Sequence, residues 1–374
     1  MMKRQFHFIV APRLSLLLTL AMFMSLAVAA QDLSFRALDS LGRGDFDRGN
    51  YDQAERYFRL ALDRAAAEGV SETDMVGALG NLAEQLRLTG RYQESEEFYG
   101  RAIAILRSGT IDDPRFAPLI WATQGAMYEQ AGKFALSESS FKEAFRLAQR
   151  DLGLDHEVMA KILNLRGSLY IATRRWKEAE RDFRRGIDVA ERQLGKHDVT
   201  LVPLLGNLGI VYGLRRRWHT VQPLLVRALA ISELHYGAKH PETAMILNSL
   251  GATYYWLGNL TEAESAFRRA LAARLKILGP DASTVATTSS ALALVLTGQE
   301  KYAEAKSLYA ESLRIHEHKV GLRTPEVAAT LEQFARLLRK MKSDEEALTL
   351  ESRAKSIRTE LKYTVKATTQ RRVN

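Results

Sequence analysis

The sequence predicts an all-α protein made of repeated pairs of antiparallel helices. Three observations predict this fold class: small residues recur every 42 positions, bulky residues follow them at fixed distances, and a second set of glycines keeps the same period. A constant period of this length is typical of a stack of similar repeats rather than of unrelated globular domains.

The small residues indicate where the two helices of each repeat cross. Each repeat has a turn position, which is Gly258 in the sixth repeat, and small residues stand seven before it, five after it and twelve after it. Across eight repeats, Val221 alone among them is not Gly, Ala or Ser. We therefore expect close helix crossings, with bulky residues filling the wedge beside them. The residues seven before the turn are Gly42, Ala83, Gly125, Gly167, Gly209, Gly251, Ala293 and Ala335.

The turn positions and a second glycine series predict the helix ends. Apolar residues on either side of each turn recur at spacings of three and four, which is helical periodicity, and the turn interrupts this pattern. The second glycines precede acidic, Thr or Pro residues, which are typical of helix starts. The turn positions are Gly49, Gly90, Gly132, Arg174, Arg216, Gly258, Glu300 and Lys342, and the second series is Gly153, Gly195, Gly237, Gly279 and Gly321.

The first thirty residues predict an export signal. Lys3 and Arg4 precede an apolar run, Leu14 to Leu26, which ends in small residues that suit cleavage after Ala29 or Ala30. The alternative is that the segment stays as a membrane anchor. No second segment is long and apolar enough to span a bilayer. We expect a soluble mature protein in the periplasm or secreted, with a bacterial envelope as the expected setting.

The remaining chain divides into a repeat array and a tail. We expect the array to cover residues 31–362, followed by a basic tail, 363–374, that is disordered. The eight repeats are predicted at residues 33–69, 74–108, 114–150, 156–194, 198–236, 240–278, 282–320 and 324–362.

Composition excludes several classes of function. Of the 374 residues, 46 % are hydrophobic and none is cysteine, so disulfides, thiolate metal sites and cysteine nucleophiles are ruled out. Without the three basic residues of the first thirty, 50 basic and 44 acidic residues give a net charge of +6, too mild to predict a nucleic-acid partner. No HExxH, GxSxG or phosphate-binding glycine loop occurs. The side chains of His316, Glu317 and His318 are consecutive, so on a helix they point in different directions and make a poor metal site. We expect no enzyme activity, metal or cofactor.

The repeat pattern resembles the tetratricopeptide repeat. The small residues fall at offsets 8, 20 and 27 of the repeat, with aromatic residues at 11, 17 and 24. The 42-residue period, and units such as HPETAMILNSLGATYYWLGNLTEAESAFRRALAARLKILG, are similar to the kinesin light-chain type. The resemblance implies a right-handed superhelical solenoid of about eight helix-turn-helix repeats. It also implies that the first helices line a concave groove that binds a protein or peptide.

The resemblance further implies which residues face the groove. Asparagine amides there would bond a peptide backbone, because an amide both donates and accepts; local hydrogen bonding is the alternative. Trp256 would be a binding anchor, with packing on the next repeat as the alternative. Only Lys161 occupies a position at which carboxylate-binding relatives carry lysines, so that class of ligand is not expected. The groove candidates are Asn81, Arg87, Glu129, Asn164, Asn207, Asn248, Tyr255, Trp256 and Arg339.

Two basic runs at the turns of adjacent repeats predict a positive edge. Such an edge could steer an acidic protein or an anionic surface toward the array; a solvated turn is the alternative. The edge residues are Arg174, Arg175, Arg184, Arg185, Arg215, Arg216 and Arg217. The expected function is an exported protein–protein interaction scaffold. The alternatives are an envelope-complex assembly factor docking through this edge, and a small-ligand or glycan sensor with a closed cavity near Tyr255 and Trp256.

Overall fold

The computed structural model describes residues 33–373 apart from 109, 110 and 112, with side chains described to residue 362 apart from that of 47. The predicted signal peptide, 1–30, lies outside the described residues. These residues form sixteen α-helices and no β-strand, which confirms the all-α prediction. They divide into two compact parts, an N-terminal part ending at Thr173 and a C-terminal part beginning at Arg174.

The helices of each part pack as consecutive pairs. In the N-terminal part α1 packs on α2, α3 on α4 and α5 on α6; in the C-terminal part α9 packs on α10, α11 on α12, α13 on α14 and α15 on α16. The N-terminal helices are α1 Phe35–Asp47, α2 Tyr51–Glu68, α3 Glu72–Leu88, α4 Tyr92–Ser108, α5 Phe116–Gln130, α6 Phe134–Asp151 and α7 Glu157–Ala172. The C-terminal helices are α8 Trp176–Gln193, α9 Leu201–Leu214, α10 Trp218–Tyr236, α11 Pro241–Trp256, α12 Leu260–Leu278, α13 Ser283–Gly298, α14 Tyr302–Val320, α15 Pro325–Lys340 and α16 Asp344–Val373.

All eight turn positions adopt the left-handed backbone conformation. Four of them are glycines with φ between 72° and 82°, and the others are Arg174, Arg216, Glu300 and Lys342 with φ between 56° and 63°. A side chain in this conformation is strained, since its Cβ approaches the following carbonyl oxygen. The second glycine series also has positive φ at every member. Both predicted sets of helix ends are therefore confirmed.

The start of several odd-numbered helices is capped by its own side chains. The Nδ1 atoms of His156 and His240 each accept a hydrogen bond, at 3.2 Å, from the backbone N–H two residues on. The Thr324 hydroxyl accepts one from the N–H of Val327 at 3.4 Å. These side chains satisfy backbone donors that a helix start leaves unpaired.

The small residues lie buried where the paired helices cross, as predicted. Gly125, Gly167, Gly209 and Gly251 are all buried. A Cβ added at Gly42 would lie 2.6 Å from Phe58, and one at Gly251 2.9 Å from Phe267, so the aromatic ring fills the space beside the glycine. Where serine takes the position five after the turn, its hydroxyl is bonded, as in the 2.7 Å bond from Ser137 to the carbonyl of Gly125.

The last helix differs from the sequence-based expectation. The tail beyond residue 362 was expected to be disordered, whereas the helical backbone of α16 continues to Val373. Three acidic residues in its first turn favour the helix start, and the sequence contains no glycine or proline from Asp344 to Val373 that would end it. Among residues 33–373, no helix is long and apolar enough to cross a membrane.

Candidate functional site

The N-terminal part carries a cavity of about 360 Å³ along its odd-numbered helices. It is lined by Arg43, Asn81, Glu84, Phe116, Ile120 and Lys161, among others. Asn81, a predicted groove residue, does face this cavity. Its Nδ2 group donates to Oδ1 of Asp39 at 2.9 Å, so the asparagine also links α3 to α1. The local hydrogen bond of Asn81 is therefore present, and its role in a binding groove stays a prediction.

Arg87 does not lie free in the groove, which corrects the prediction. It is 8 % exposed, and its guanidinium forms two hydrogen bonds with Glu84 at 2.6 and 2.8 Å. Burial would raise the pKa of Glu84, but the hydrogen bonds and charge of Arg87 lower it below its usual value. The Tyr99 hydroxyl donates to the same carboxylate at 3.0 Å. Arg87 is thus committed to an internal ion pair, whose burial the helical spacing alone did not indicate.

The other two groove candidates of the N-terminal part are half-buried. Burial raises the pKa of Glu129, and the nearby charge of Arg87 only partly offsets that effect. Asn164 lies on α7 and interacts with another group of the protein. The groove roles of both residues stay predictions.

The C-terminal part has a more apolar site between α9 and α11, here called the glycine-lined cavity. Its volume is about 430 Å³, and its lining includes Gly206, Asn207, Ile210, Leu225, Met245 and Asn248. Ile210 and Met245 are 49 % and 51 % exposed, which is high for large apolar side chains facing a neighbouring helix. Two predicted asparagines therefore meet at an apolar surface.

The glycine-lined cavity exists because of residues that depart from the repeat pattern. At the position of Leu225, six other repeats carry Phe or Tyr, and the smaller leucine leaves the crossing unfilled. A Cβ added at Gly209 would lie 3.5 Å from Leu225, an ordinary contact, and one at Gly206 would meet no atom within 4 Å. The space beside Gly209 is therefore less tightly filled than the space beside Gly42 or Gly251. The sequence signal for this cavity is the run Gly206, Gly209 and Gly213 on one helix, of which the repeat pattern accounts for Gly209 alone.

The two asparagines at this cavity have different hydrogen-bond environments. Oδ1 of Asn248 accepts from the Thr288 hydroxyl at 3.3 Å, and no described residue bonds its Nδ2 group. Asn207 is half-buried and interacts with another group of the protein. Asn248 therefore keeps amide donors for an incoming carbonyl group.

The aromatic candidates lie at the end of α11. Trp256 is 59 % exposed and stacks on Trp218 of the preceding repeat, with ring centroids 5.7 Å apart and planes at 5°. Tyr255 contacts Trp256 edge-on at 5.6 Å. Trp218 and Trp256 border an open surface cavity of about 490 Å³ together with Arg216, Arg217 and His219. The closed aromatic cavity that a small-ligand sensor would require is not the geometry found at these residues.

Arg339, the last groove candidate, is tied to the final helix instead. Its guanidinium bonds Asp344 at 3.0 Å and Glu351 at 2.9 Å, both on α16. The groove prediction for Arg339 is corrected, because two carboxylates already occupy its donors. Both carboxylates lie near the start of α16, and the repeat offsets within α15 do not show that α16 supplies partners for Arg339.

The basic edge is mostly neutralised within the protein. Arg175 pairs with Glu178 at 3.1 Å, Arg185 with Asp188 at 3.2 Å, and both Arg184 and Arg215 with Glu180, at 3.3 and 2.7 Å. The guanidinium of Arg217 lies over the ring of Tyr212 at 5.0 Å. Arg174 and Arg216 are exposed and have no carboxylate partner among the described side chains. Three of the seven arginines thus keep an uncompensated charge.

The histidine run of α14 has a structural environment. His316 is buried, its Nδ1 lies 3.3 Å from the Thr330 hydroxyl, and desolvation lowers its pKa below 6.5. Within the described part of the chain, no three His, Asp or Glu side chains are grouped to hold a metal ion.

The helix pairs, their left-handed turns and the small residues at their crossings define a class of repeat protein. The family model for the tetratricopeptide repeat matches residues 33–108, 117–192, 199–276, 242–318 and 284–360. The chain therefore belongs to the tetratricopeptide repeat family, which confirms the resemblance. No curated protein sequence matches it.

Solved structures share this fold at low sequence identity. A signal-transduction ATPase with a tetratricopeptide repeat sensor from Pyrococcus horikoshii matches with a TM-score of 0.64 and 13 % identity, over 91 % of this chain and 50 % of that one. Aspartyl phosphate phosphatase F from Bacillus subtilis matches at 0.55 and 13 %, over 81 % and 75 %. BtubC (BKLC) from P. vanneervenii matches at 0.50 and 20 %, over 63 % and 92 %. These likenesses concern the fold alone.

Proposed function

We propose that this protein is an exported scaffold for protein–protein interaction, which binds an extended segment of a partner protein at the glycine-lined cavity. The observation that carries the proposal is the meeting of exposed Ile210 and Met245 with the amides of Asn207 and Asn248 around about 430 Å³ of space. Pockets that bind ligands combine apolar walls with a few polar groups that fix orientation.

The chemistry of the cavity defines its occupant. A bulky apolar side chain of the partner enters the space beside Gly206, where no protein atom lies within 4 Å of an added Cβ. The Asn248 amide donates to a backbone carbonyl of the same segment. Helix pairs hold these groups in place before binding, so that most of the ordering entropy is lost by the partner segment.

The test uses a selection from a displayed peptide library, followed by affinity measurement with labelled peptides. Gly206→Leu places a side chain inside the cavity, and we expect it to weaken the selected peptides by at least about tenfold. Gly100→Leu is the matched control, because Gly100 is a helical glycine of α4 at which an added Cβ also meets no atom. Selected peptides should share a large apolar residue.

Two outcomes would contradict the groove proposal. One is that the library selection gives no binding peptide. The other is a set of ligands that Gly206→Leu and Gly100→Leu bind equally well. Circular dichroism of both variants checks that the helices stay intact, so that lost binding is not lost folding.

The proposal of export has its own support and test. It is supported by Lys3 and Arg4 before the apolar Leu14–Leu26 run and the small residues up to Ala30. We expect the chain recovered from the exported fraction to begin at Ala30 or Gln31 when its N-terminus is sequenced. A chain found only in the cytosol, or one that keeps Met1 and stays with the membrane, would contradict export with cleavage.

A further inference from the structure

The turns that follow α9 and α11 carry a surface that shares only Trp218 with the lining of the glycine-lined cavity. Leu214 is the last residue of α9, and Trp256, 42 positions later, is the last residue of α11. Since both helices border the glycine-lined cavity, the repeat brings these two side chains to the same end of neighbouring helices. Leu214 is 56 % exposed and Trp256 59 %. Two large apolar groups therefore face outward together.

Uncompensated positive charge lies beside these apolar groups. Arg216 and Arg217 border the same open cavity as Trp218 and Trp256. Neither arginine pairs with a carboxylate among the described side chains, whereas Arg215, one residue earlier, bonds Glu180 at 2.7 Å. The charge at the turn of the fifth repeat is thus available to an anionic partner.

We propose that this turn surface, formed by Leu214, Arg216, Arg217, Trp218 and Trp256, adsorbs to an anionic phospholipid bilayer. Indole rings prefer the boundary between headgroups and hydrocarbon, since they are amphipathic. Guanidinium groups bind phosphate with two parallel hydrogen bonds. The cavity of about 490 Å³ is more open than the glycine-lined cavity, so a broad partner surface fits it better than a single inserted side chain.

The contacts within the surface assign a role to each group. Trp256 and Leu214 enter the headgroup region, and Trp218 supports the indole of Trp256 from behind by parallel stacking at 5.7 Å. Arg216 and Arg217 bind lipid phosphates. The groove test changes Gly206 and the test of this surface changes Arg216 and Trp256, which do not line the glycine-lined cavity, so either proposal can fail while the other holds.

The test measures the binding of the chain from residue 31 onward to lipid vesicles by sedimentation and by tryptophan fluorescence. With vesicles of phosphatidylglycerol and phosphatidylcholine we expect binding that weakens with added salt, and a blue shift of the emission as Trp256 leaves water. Vesicles of phosphatidylcholine alone should bind far less. Trp256→Ala should reduce both binding and shift, while Leu234→Ala, at a 73 % exposed site of α10, should change neither.

Two charge variants test whether the turn of the fifth repeat, rather than any exposed cation, binds the membrane. Arg216→Gln should weaken vesicle binding about fivefold, which is the usual contribution of one basic residue near an anionic membrane. Lys342→Gln is the matched control, since Lys342 is an exposed cation at the same turn position of the eighth repeat, with φ of 60° against 56°. We expect it to leave binding unchanged.

Several results would overturn the membrane proposal. These are failure to bind anionic vesicles, equal binding to zwitterionic ones, or equal losses from Arg216→Gln and Lys342→Gln. Capture of an acidic protein through Arg216 and Trp256, with no vesicle binding, would assign the surface to a protein partner instead. Circular dichroism of each variant confirms that the helices are retained.

Discussion

At the scale of single residues, the glycines of the odd-numbered helices differ in what surrounds them. Gly206 faces open space, so Gly206→Ala should raise the free energy of unfolding by about 0.5–1 kcal/mol, because alanine restricts the unfolded chain. Gly251→Ala should lower it by about 1–3 kcal/mol, because its Cβ would lie 2.9 Å from the buried ring of Phe267. Urea unfolding of the two variants measures both. Equal effects of the same sign would contradict the crossing geometry.

The left-handed turns give a second residue-scale prediction. Lys342 has φ of 60°, a conformation that costs a side chain but not glycine. Lys342→Gly should therefore stabilise the protein by about 1 kcal/mol. Arg336→Gly, inside α15, should instead destabilise it by about 1 kcal/mol, since glycine weakens a helix interior. Thermal unfolding distinguishes the two, and destabilisation by both would show that Lys342 is not strained.

Buried His316 predicts a pH dependence of stability. Desolvation lowers the pKa of His316 in the folded protein below 6.5, its value when exposed in the unfolded chain. As the pH falls through 6.5 the unfolded chain binds a proton that the folded protein does not, so stability should fall until the folded pKa is reached. His316→Gln should lessen the loss of stability in this window. Denaturant unfolding from pH 7.5 to 5 would contradict this if both proteins showed the same slope.

At the scale of helices, two predicted groove arginines serve different structural roles. Arg87 is buried against Glu84, and Arg87→Met should cost about 1–3 kcal/mol because it leaves the half-buried Glu84 carboxylate with only the Tyr99 hydroxyl as a partner. Arg339 joins α15 to α16 at the surface, so Arg339→Met should cost less than about 1 kcal/mol. Chemical denaturation compares them directly. A larger loss from Arg339→Met would reverse this assignment.

The helices themselves could be predicted from the sequence, because the same pattern of small and bulky residues occurs in all eight repeats. Small residues at Gly42, Gly125 and Gly251 and turns at Gly90 and Gly258 carry the pattern, and the structure repeats it. Even the turns without glycine kept the left-handed conformation, since the flanking helices impose it. The helical end of α16 was missed because basic, polar composition predicted disorder although no helix-breaking residue is present.

The candidate site could be predicted only in part. The groove offsets that the family resemblance implies placed Asn81, Asn207 and Asn248 along cavities. The pairs Arg87–Glu84 and Arg184–Glu180 have i,i+3 and i,i+4 spacing on one helix, so the sequence could have indicated them, but the groove offsets alone do not report pairing. The contact of Arg215 with Glu180 joins residues 35 apart, and the repeat offsets do not specify it.

At the scale of the whole molecule, the repeats provide stability while departures from the repeat pattern provide the candidate surfaces. Leu225 in place of an aromatic residue and Gly206 in open space create the glycine-lined cavity. Exposed Trp256 and uncompensated Arg216 create a separate surface at the turn. Both lie in the C-terminal part, so we expect the two proposed binding events there.

Hydrogen exchange of the protein with and without a selected peptide would locate the bound segment. We expect slower exchange in residues 201–214 and 241–256 and at the start of α10, which together border the glycine-lined cavity, with little change in α12 and α14. Slower exchange confined to α12, α14 and α16, or to the N-terminal part, would show that the partner binds elsewhere and that the cavity is only a packing gap.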